Sequence, residues 1–304
     1  MYKNMKLLGT YINGNYTVSI YEDGTKIREN DLDNLTPTFA ESIDCTITTR
    51  CDGFCDFCYM NCTPEGKHAN FYDFETFIDS LHPYTEIALN GNDMSHPQLV
   101  GFLKRLKDKK VIPNITVNQR HFMKYYNYIK ALVDNKLIYG IGISLVDSNN
   151  KEFIERVKTL PNAVIHTICG ITTIEDYENL INNKLKILIL GYKDIGRGSA
   201  YKQNNFDSIS DRINLLRGFI SVLLKSNRNV SISFDNLALE QLHIKSMLSE
   251  DEWNSFYMGD DGQYTFYVDL VNKTFSRNSL SEIKYDMKDM TIDEMFGIVG
   301  KEGR

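Results

Sequence analysis

The chain of 304 residues is long enough for one large domain with appendages or for two small domains. Hydrophobic residues make up 42% of it, so we expect a sizeable core and no extensive disorder. The formal net charge of −6 argues against non-specific binding of nucleic acid, because such binding needs a basic surface. The chain start lacks the apolar run of a signal peptide, and the other apolar runs are too short to span a bilayer. We therefore expect a cytoplasmic protein with no membrane contact.

The first 36 residues predict a small antiparallel β-meander. Three segments there are rich in β-branched and aromatic residues, and Asn-Gly and Asp-Gly pairs separate them as turn signals. We place the end of this N-terminal unit just before Pro37. The three predicted strands are 7–12, 16–21 and 25–28.

From residue 37 to residue 235, short apolar segments alternate with amphipathic ones. Short apolar runs suit strands buried on both faces, and their alternation with helices indicates an α/β fold with a parallel sheet. The number of repeats predicts a partial (β/α)6 barrel of the TIM type, with functional residues at the carboxyl ends of the strands. Residues 236–304 break the alternation and predict a cap made of a β-hairpin, with strands 264–270 and 273–276, and a last helix at 293–299. The candidate barrel strands are 42–48, 86–89, 115–117, 139–145, 163–168, 186–190 and 230–234.

Four of the six cysteines lie between Cys51 and Cys62. In a cytosolic chain such crowding indicates metal binding rather than disulfide bonds. Cys51, Cys55 and Cys58 have the spacing C-x3-C-x2-C directly after the first predicted barrel strand, and Phe57 precedes the last of them. Three thiolates on one short loop can hold three corners of a 4Fe–4S cluster and leave one iron open for chemistry.

A structural zinc site is the alternative interpretation of this loop. Its fourth ligand would be Cys62, Cys45 or His68. Zinc sites usually combine two well-separated pairs of ligands, and the sequence contains no second pair, so the cluster is favoured. A non-catalytic regulatory protein that binds an iron–sulfur cluster or zinc is the second candidate function.

The cysteine spacing, with an aromatic residue before the third cysteine, resembles the signature of the radical SAM enzymes, and the resemblance covers about residues 41–235. It implies a partial barrel, a 4Fe–4S cluster on the three cysteines and S-adenosylmethionine (SAM) bound at the open iron. It also implies reductive cleavage of SAM and abstraction of a hydrogen atom from a substrate, by an oxidoreductase or a transferase. The substrate would be a peptide, a nucleotide or another small metabolite, and an external flavodoxin or ferredoxin would donate the electron.

The resemblance also assigns contacts of SAM. Asn90, Gly91, Asn92 and Asp93 follow the second strand, where the family has a Gly-Gly-Glu segment that binds the methionine amino group. Here Asn90 replaces the first glycine and Asn92 replaces the glutamate, so Asp93 is a candidate for the missing carboxylate. The alternative is an Asn-Gly turn that only closes the strand.

Further residues that are candidates for contact with SAM lie at the ends of later strands. Asn118 follows the third strand and is similar to the family's Thr-Asn-Gly segment, while Ser144 ends the fourth strand, where the family holds the ribose hydroxyls. By resemblance, the backbone near Ile168 contacts the adenine. After the sixth strand, a glycine-flanked loop carries Lys193 and Arg197, and one of these cations is expected to meet the SAM carboxylate or an anionic group of the substrate.

Two more pairs of residues complete the candidates. Asp235 and Asn236 end the last barrel strand and are predicted to face the substrate, with a helix N-cap as the alternative. His166 and Cys169 lie on or just after the fifth strand. A lone histidine in an apolar strand is more often a core residue than a ligand, and a buried cysteine is more often inert than reactive.

Overall fold

The structure is a computed structural model that describes residues 6–32, 34–226 and 228–301. The first five residues of the chain, where we predict no signal peptide, lie outside these ranges. Among the described helices, none combines the length and the hydrophobicity that a bilayer span requires.

The predicted N-terminal meander is confirmed. Strands β1 (Leu7–Asn13), β2 (Tyr16–Tyr21) and β3 (Lys26–Glu29) pair in chain order as an antiparallel sheet. In the turn between β1 and β2, Gly14 has a φ of 62°, a left-handed conformation that glycine adopts without strain. Buried and half-buried residues alternate along β2, so one face of the small sheet packs against the rest of the protein.

The predicted alternation of strands and helices is also confirmed, and it builds a large parallel sheet. Each strand is connected to the next by at least one helix, as parallel pairing requires. The strands of this part are β4 (Ser42–Thr46), β5 (Glu86–Asn92), β6 (Ile112–Asn118), β7 (Gly140–Ser144), β8 (Ala163–Ile168), β9 (Lys186–Leu190) and β10 (Ser231–Phe234).

Helices lie between these strands and after them, and two short 3-10 helices occur at Phe71–Phe74 and Ile244–Met247. The last helix forms where the sequence predicts one. The helices are α1 (Glu75–Asp79), α2 (Leu99–Asp108), α3 (Gln119–Lys124), α4 (Tyr126–Asp134), α5 (Lys151–Lys158), α6 (Ile174–Asn182), α7 (Arg197–Asn204), α8 (Phe206–Leu224), α9 (Asn236–Gln241), α10 (Glu250–Phe256) and α11 (Ile292–Val299).

The C-terminal hairpin differs from the prediction in its position. Its strands β11 (Thr265–Asp269) and β12 (Thr274–Ser276) form where predicted, but β11 pairs in parallel with β4. The hairpin therefore lengthens the sheet instead of standing apart as a cap. Four of the five residues of β11 are buried, which suits a strand with neighbours on both edges. With β13 (Tyr285–Asp286), the sheet has ten strands in the described part of the chain, more than a (β/α)6 unit needs, and β10 and β13 are its edges.

The two faces of the parallel strands differ in character, because successive side chains point to opposite faces. One set is apolar and packs against the helices, where Phe102 of α2 and Phe153 of α5 are fully buried. The other set includes polar side chains that solvent reaches, among them Asp44, Thr116 and His166. The parallel strands thus have a hydrophobic face, which packs against the helices, and a face that carries polar side chains.

Glu41, a fully buried residue just before β4, joins the meander to the large sheet. The Arg28 guanidinium of β3 donates to both of its carboxylate oxygens, from Nε at 2.8 Å and from Nη2 at 3.0 Å. The Tyr16 hydroxyl donates to it at 2.6 Å, and the Lys26 ammonium lies between it and Glu86, at 3.3 and 3.0 Å. Burial alone would raise the pKa of Glu41, but the hydrogen bonds from Arg28 and the charge of Lys26 outweigh it and lower the pKa.

Replacing Glu41 with Gln keeps the shape and removes the charge that Arg28 and Lys26 face. We expect a loss of about 3 kcal/mol in the free energy of unfolding at pH 7, because one side of a buried ion pair is left uncompensated. The folded-state pKa of Glu41 is lowered, so its stabilisation is complete above the ordinary glutamate pKa and is lost as the pH falls through the lowered value.

Urea unfolding of the wild type and the E41Q variant at pH 7 and at successively lower pH measures this effect. The difference between the two proteins should shrink with acidification. The matched control E22Q removes a carboxylate that pairs with Lys6 and Lys136 at the surface, and it should cost less than about 1 kcal/mol at pH 7. An E41Q deficit that stays constant with pH would contradict the role given to this charge.

Candidate functional site

The cysteine loop begins directly after β4, at the carboxyl end of the strand. Cys51, Cys55 and Cys58 are free, half-buried thiols. The loop folds back on itself, since the Cys51 N–H donates to the carbonyl of Thr63 at 2.9 Å and the Cys58 N–H donates to the carbonyl of Cys55 at 3.2 Å. The motif cysteines therefore stay together at the edge where the resemblance places them.

Gly53 lies between two of these thiols. A Cβ atom there would lie 3.2 Å from the Cys51 Sγ and 4.0 Å from the Cys55 Sγ, so a side chain would enter the space beside both sulfur atoms. The Gly53 N–H donates to the Cys51 Sγ at 3.3 Å. A hydrogen bond with Cys62 lowers the pKa of the Cys58 thiol to about 6, which favours the thiolate that binds metal.

The donor set suits a group larger than a single ion. No three His, Cys, Asp or Glu side chains converge closely enough to hold one metal ion anywhere in the ranges 6–32, 34–226 and 228–301. Thiolates of a cubane cluster bind different irons and stand farther apart than ligands that share one ion. Three free thiols around a glycine at a strand end are the donor set that a 4Fe–4S cluster would need.

Arg197, the first residue of α7, fastens the cysteine loop. Its Nε donates to the carbonyl of Cys55 at 3.1 Å and its Nη2 to the carbonyl of Cys62 at 3.0 Å. Its backbone N–H donates to the carbonyl of Cys58 at 3.1 Å. The preceding Gly196 has a φ of 59°, and a Cβ there would lie 2.3 Å from a carbonyl oxygen of the cysteine loop. The glycine before this arginine thus permits the close approach of the two loops, and the expected contact of Arg197 with SAM stays a prediction.

The Asn-Gly-Asn segment ends β5 with a β-bulge at Gly91. A turn then closes the strand, since the Met94 N–H donates to the carbonyl of Gly91 at 2.8 Å. The Asn90 amide accepts from the Ile47 N–H at 2.6 Å and donates to the carbonyl of Thr48 at 2.7 Å. Asn92 donates to the same carbonyl at 3.1 Å. The two amides continue the pairing of β4 with β5 past the end of β4, which holds the start of the cysteine loop.

Asp93 and Asn118 lie beside two of the motif cysteines. Asp93 is buried and accepts from the Ser95 N–H at 3.1 Å and from the Ser95 hydroxyl. Burial, and to a smaller degree the charge of Asp93, raises the pKa of the Cys51 thiol to about 11. Asn118 caps α3 through its Oδ1, and its Nδ2 lies 3.8 Å from the Cys55 Sγ. Both residues are therefore brought to the cysteine loop, as a SAM site there would require.

The other predicted contacts are spread along the same edge of the sheet. Ser144 is the register partner of Asn118, which places it one strand farther from the cysteines. Ile168 ends β8, and its N–H donates to the Thr172 hydroxyl at 3.0 Å. Phe57 packs against α7 through an edge-to-face aromatic contact. The roles assigned to these residues stay predictions.

The structure shows the surroundings of two further candidates, Asp235 and His166. Asp235 is the N-cap of α9, which confirms the alternative interpretation, since it accepts from the Ala238 N–H at 2.7 Å. His166 is half-buried on the polar face of the strands, and its ring has no hydrogen-bond partner in the part of the chain that the structure describes. Burial lowers its pKa to about 4. Gly142 of β7 makes room for its ring, because a Cβ there would lie 2.2 Å from His166.

Asp44 was missed by sequence reasoning. The signal that could have found it is that it is the single charged residue of β4, between Ile43 and Cys45. The Nζ of Lys193, one of the predicted cations, donates to the Ser279 hydroxyl at 2.8 Å. Burial lowers the pKa of Lys193, against the opposing effect of nearby carboxylates.

Two cavities of about 390 and 500 Å³ lie elsewhere on the molecule. The smaller is an apolar groove beside β10, α8 and α10, and the larger lies against α7 and α8. No motif cysteine lines either of them, so neither cavity marks the candidate site.

No protein-family model and no curated protein sequence matches the chain. Among solved structures, the crystal structure of Streptococcus suis SuiB bound to S-adenosylmethionine aligns with a TM-score of 0.62, at 11% identity over 96% of this chain and 88% of that chain. The chain shares the fold of SuiB. An aldo-keto reductase from a Medee basin deep-sea metagenome library, MGS-M4, aligns with a TM-score of 0.28 at 8% identity, over 93% of this chain and 99% of that chain. A likeness that low supports no inference.

Replacing Arg197 with Lys keeps the charge but removes the guanidinium group, which donates to two carbonyls at once. We expect the amides of residues 51–58 to exchange with solvent about tenfold faster, since a hydrogen bond from a charged group contributes about 1.5 kcal/mol. Hydrogen exchange followed by mass spectrometry measures this. The matched control R212K changes an arginine that donates to the carbonyl of Ile171 and should leave these amides unaffected. Equal exchange rates of these amides in R197K and the wild type would show that Arg197 does not hold the cysteine loop in place.

Proposed function

We propose that the protein is a radical SAM enzyme. It would hold a 4Fe–4S cluster on Cys51, Cys55 and Cys58 and bind SAM at the open iron. The observation that carries the proposal is the set of three free, half-buried thiols beside Gly53 at the carboxyl end of the first parallel strand. The fold shared with a SAM-bound structure supports it.

The chain's own residues would bind and orient SAM. When bound, the cluster and SAM supply the chemistry, one electron that cleaves SAM and a hydrogen-atom abstraction from the substrate. Asp93 is the proposed partner of the methionine amino group, because its Oδ2 accepts no hydrogen bond from a described residue and its charge acts on Cys51. Arg197 is the proposed partner of the SAM carboxylate through Nη1, the guanidinium nitrogen with no partner among the described residues.

The cysteine loop also reaches the surface. Phe54, between the first two motif cysteines, is 71% exposed. We infer that an external donor such as a flavodoxin or a ferredoxin would dock here, since an electron has to enter close to the cluster. An exposed aromatic ring is a common anchor of protein interfaces.

Anaerobic reconstitution with iron and sulfide, followed by SAM and dithionite, tests the proposed function. We expect 5′-deoxyadenosine to form, and Cys55→Ala to abolish both iron binding and product, because the cluster loses one of its thiolates. The Cys62→Ser variant distinguishes a cluster held by three cysteines from a zinc ion whose fourth ligand is Cys62. It keeps the iron if three cysteines hold a cubane, and it loses the metal if Cys62 is the fourth ligand of zinc. Zinc without iron in the purified protein, or a cluster that gives no product with SAM, would contradict the proposal.

Asp93→Asn tests the assignment of the amino-group partner. Asparagine keeps the Oδ1 acceptor for the Ser95 turn and loses the negative charge. We expect the dissociation constant of SAM to rise about tenfold, which corresponds to about 1.4 kcal/mol. Equilibrium dialysis of labelled SAM with the reconstituted protein measures this. Asp56→Asn, at an exposed carboxylate of the same loop, is the matched control and should not change the affinity. Equal SAM affinity in D93N and the wild type would exclude Asp93 as the partner.

A further inference from the structure

His121 of α3 is a buried histidine beside the cysteine loop that the proposed function does not use. Its Nε2–H donates to the carboxylate of Asp52, the residue between Cys51 and Gly53. Its Nδ1 is buried and has no hydrogen-bond partner among the residues that the structure describes. A buried polar atom without a partner is unfavourable, so a residue kept only for packing would be apolar here. The contact with Asp52 therefore explains a histidine at this position.

The imidazole ring of His121 also lies next to two of the motif cysteines. A Cβ atom on Gly53 would lie 3.2 Å from the Cys51 Sγ, 3.5 Å from the His121 Cε1 and 4.0 Å from the Cys55 Sγ. Gly53 is itself buried. The histidine ring and the two sulfur atoms thus surround the same glycine.

Two more residues at the start of α3 contact the same loop. The side-chain amide of Asn118, the N-cap of α3, donates from Nδ2 to the Cys55 Sγ at 3.8 Å. Its Oδ1 accepts from the Arg120 N–H at 2.9 Å, which fixes the orientation of the amide. The Arg120 Nη1 donates to the carbonyl of Gly53 at 3.5 Å. Together with His121, these residues hold the turn of residues 51–55 against α3.

A hydrogen bond to a thiolate ligand affects the reduction potential of an iron–sulfur cluster. Reduction adds negative charge, and an N–H donor at the sulfur stabilises that charge, so the donor makes the potential less negative. At 3.8 Å the contact of Asn118 with Cys55 is long, and a small movement of the turn would break it. The hydrogen bond from His121 to Asp52 opposes such a movement, because Asp52 belongs to the same turn.

We propose that His121 is a positioning residue of the cluster. By holding Asp52, it keeps the turn of residues 51–55 at the distance from which the Asn118 amide donates to the Cys55 sulfur, and in this way it sets the reduction potential. The effect on the cluster rests on the proposed function. The hold of His121 on the turn does not, and it can be measured without metal.

A redox titration of the reconstituted protein, followed by electron paramagnetic resonance without SAM, tests the effect on the cluster. Asn118→Ser keeps an N-cap oxygen and loses the amide, while His121→Leu loses the donor to Asp52. We expect both changes to shift the midpoint potential to more negative values. The H121L/N118S double variant should shift it no further than N118S does, because His121 acts through Asn118. His121→Gln keeps a donor for Asp52 and should restore the wild-type potential.

His82→Leu is the matched control for this titration. His82 precedes β5 and lies 2.8 Å from Asp293 through its Nε2, so the change removes a contact of the same kind elsewhere in the protein. It should leave the potential unchanged. A wild-type potential in H121L would overturn the inference. Equal shifts in H121Q and H121L would do so too, because the potential would then not depend on the hydrogen bond to Asp52.

Hydrogen exchange of the iron-free protein tests the hold on the turn. We expect the amides of residues 53–55 to exchange about tenfold faster in H121L and in Asp52→Ala, and no faster still when the two changes are combined. The Asp52 side chain is exposed, so D52A should fold even if H121L does not.

The two measurements separate this inference from the proposed function. Faster exchange in both variants, in a protein that never assembles a cluster, would support the hold of His121 on the turn and contradict the proposed function. Normal formation of 5′-deoxyadenosine, with wild-type exchange in H121L and D52A, would overturn the role of His121 alone.

Discussion

The side-chain amide of Asn90 continues the pairing of β4 and β5 beyond the last residue of β4. By bonding to the backbone of Ile47 and Thr48, it fixes the direction in which the chain leaves the sheet and enters the cysteine loop. Arg197 then fastens the far side of the same loop from the start of α7. The position of the three thiols depends on these two side chains, which belong to segments distant in sequence but adjacent at the edge of a parallel sheet.

The polar groups of the sheet serve two different purposes. At the amino ends of the strands, Glu41 and its basic partners tie the meander to the sheet through a buried and fully paired charge group. On the polar face of the same strands, the side chains of Asp44 and His166 have no hydrogen-bond partners among the described residues. Paired charge stabilises the fold, and unpaired polar groups are left for binding. We infer that this division of the polar groups is a division between structure and function.

Local signals predicted much of the fold. The Asn13-Gly14 turn, the short apolar strands and the helix at Ile292–Val299 are short-range features, and the structure has them where the sequence indicates. The pairing of β11 with β4 could not be predicted, because it joins segments more than two hundred residues apart and no local pattern encodes a strand's neighbour. The cysteine motif, like the turns, could be recognised from the sequence because its three residues are close together in the chain. The role of Asn90 depends on a neighbouring strand, so the sequence showed the residue without its partners.

The central claim is that SAM binds directly at a cluster held by the three cysteines. The most direct measurement is the electron paramagnetic resonance spectrum of the dithionite-reduced, reconstituted protein, recorded with and without SAM. The account predicts a 4Fe–4S signal whose g-values change when SAM is added, because SAM would bind the iron that lacks a cysteine. A 4Fe–4S signal that SAM leaves unchanged would contradict the claim, and so would the absence of any cluster signal.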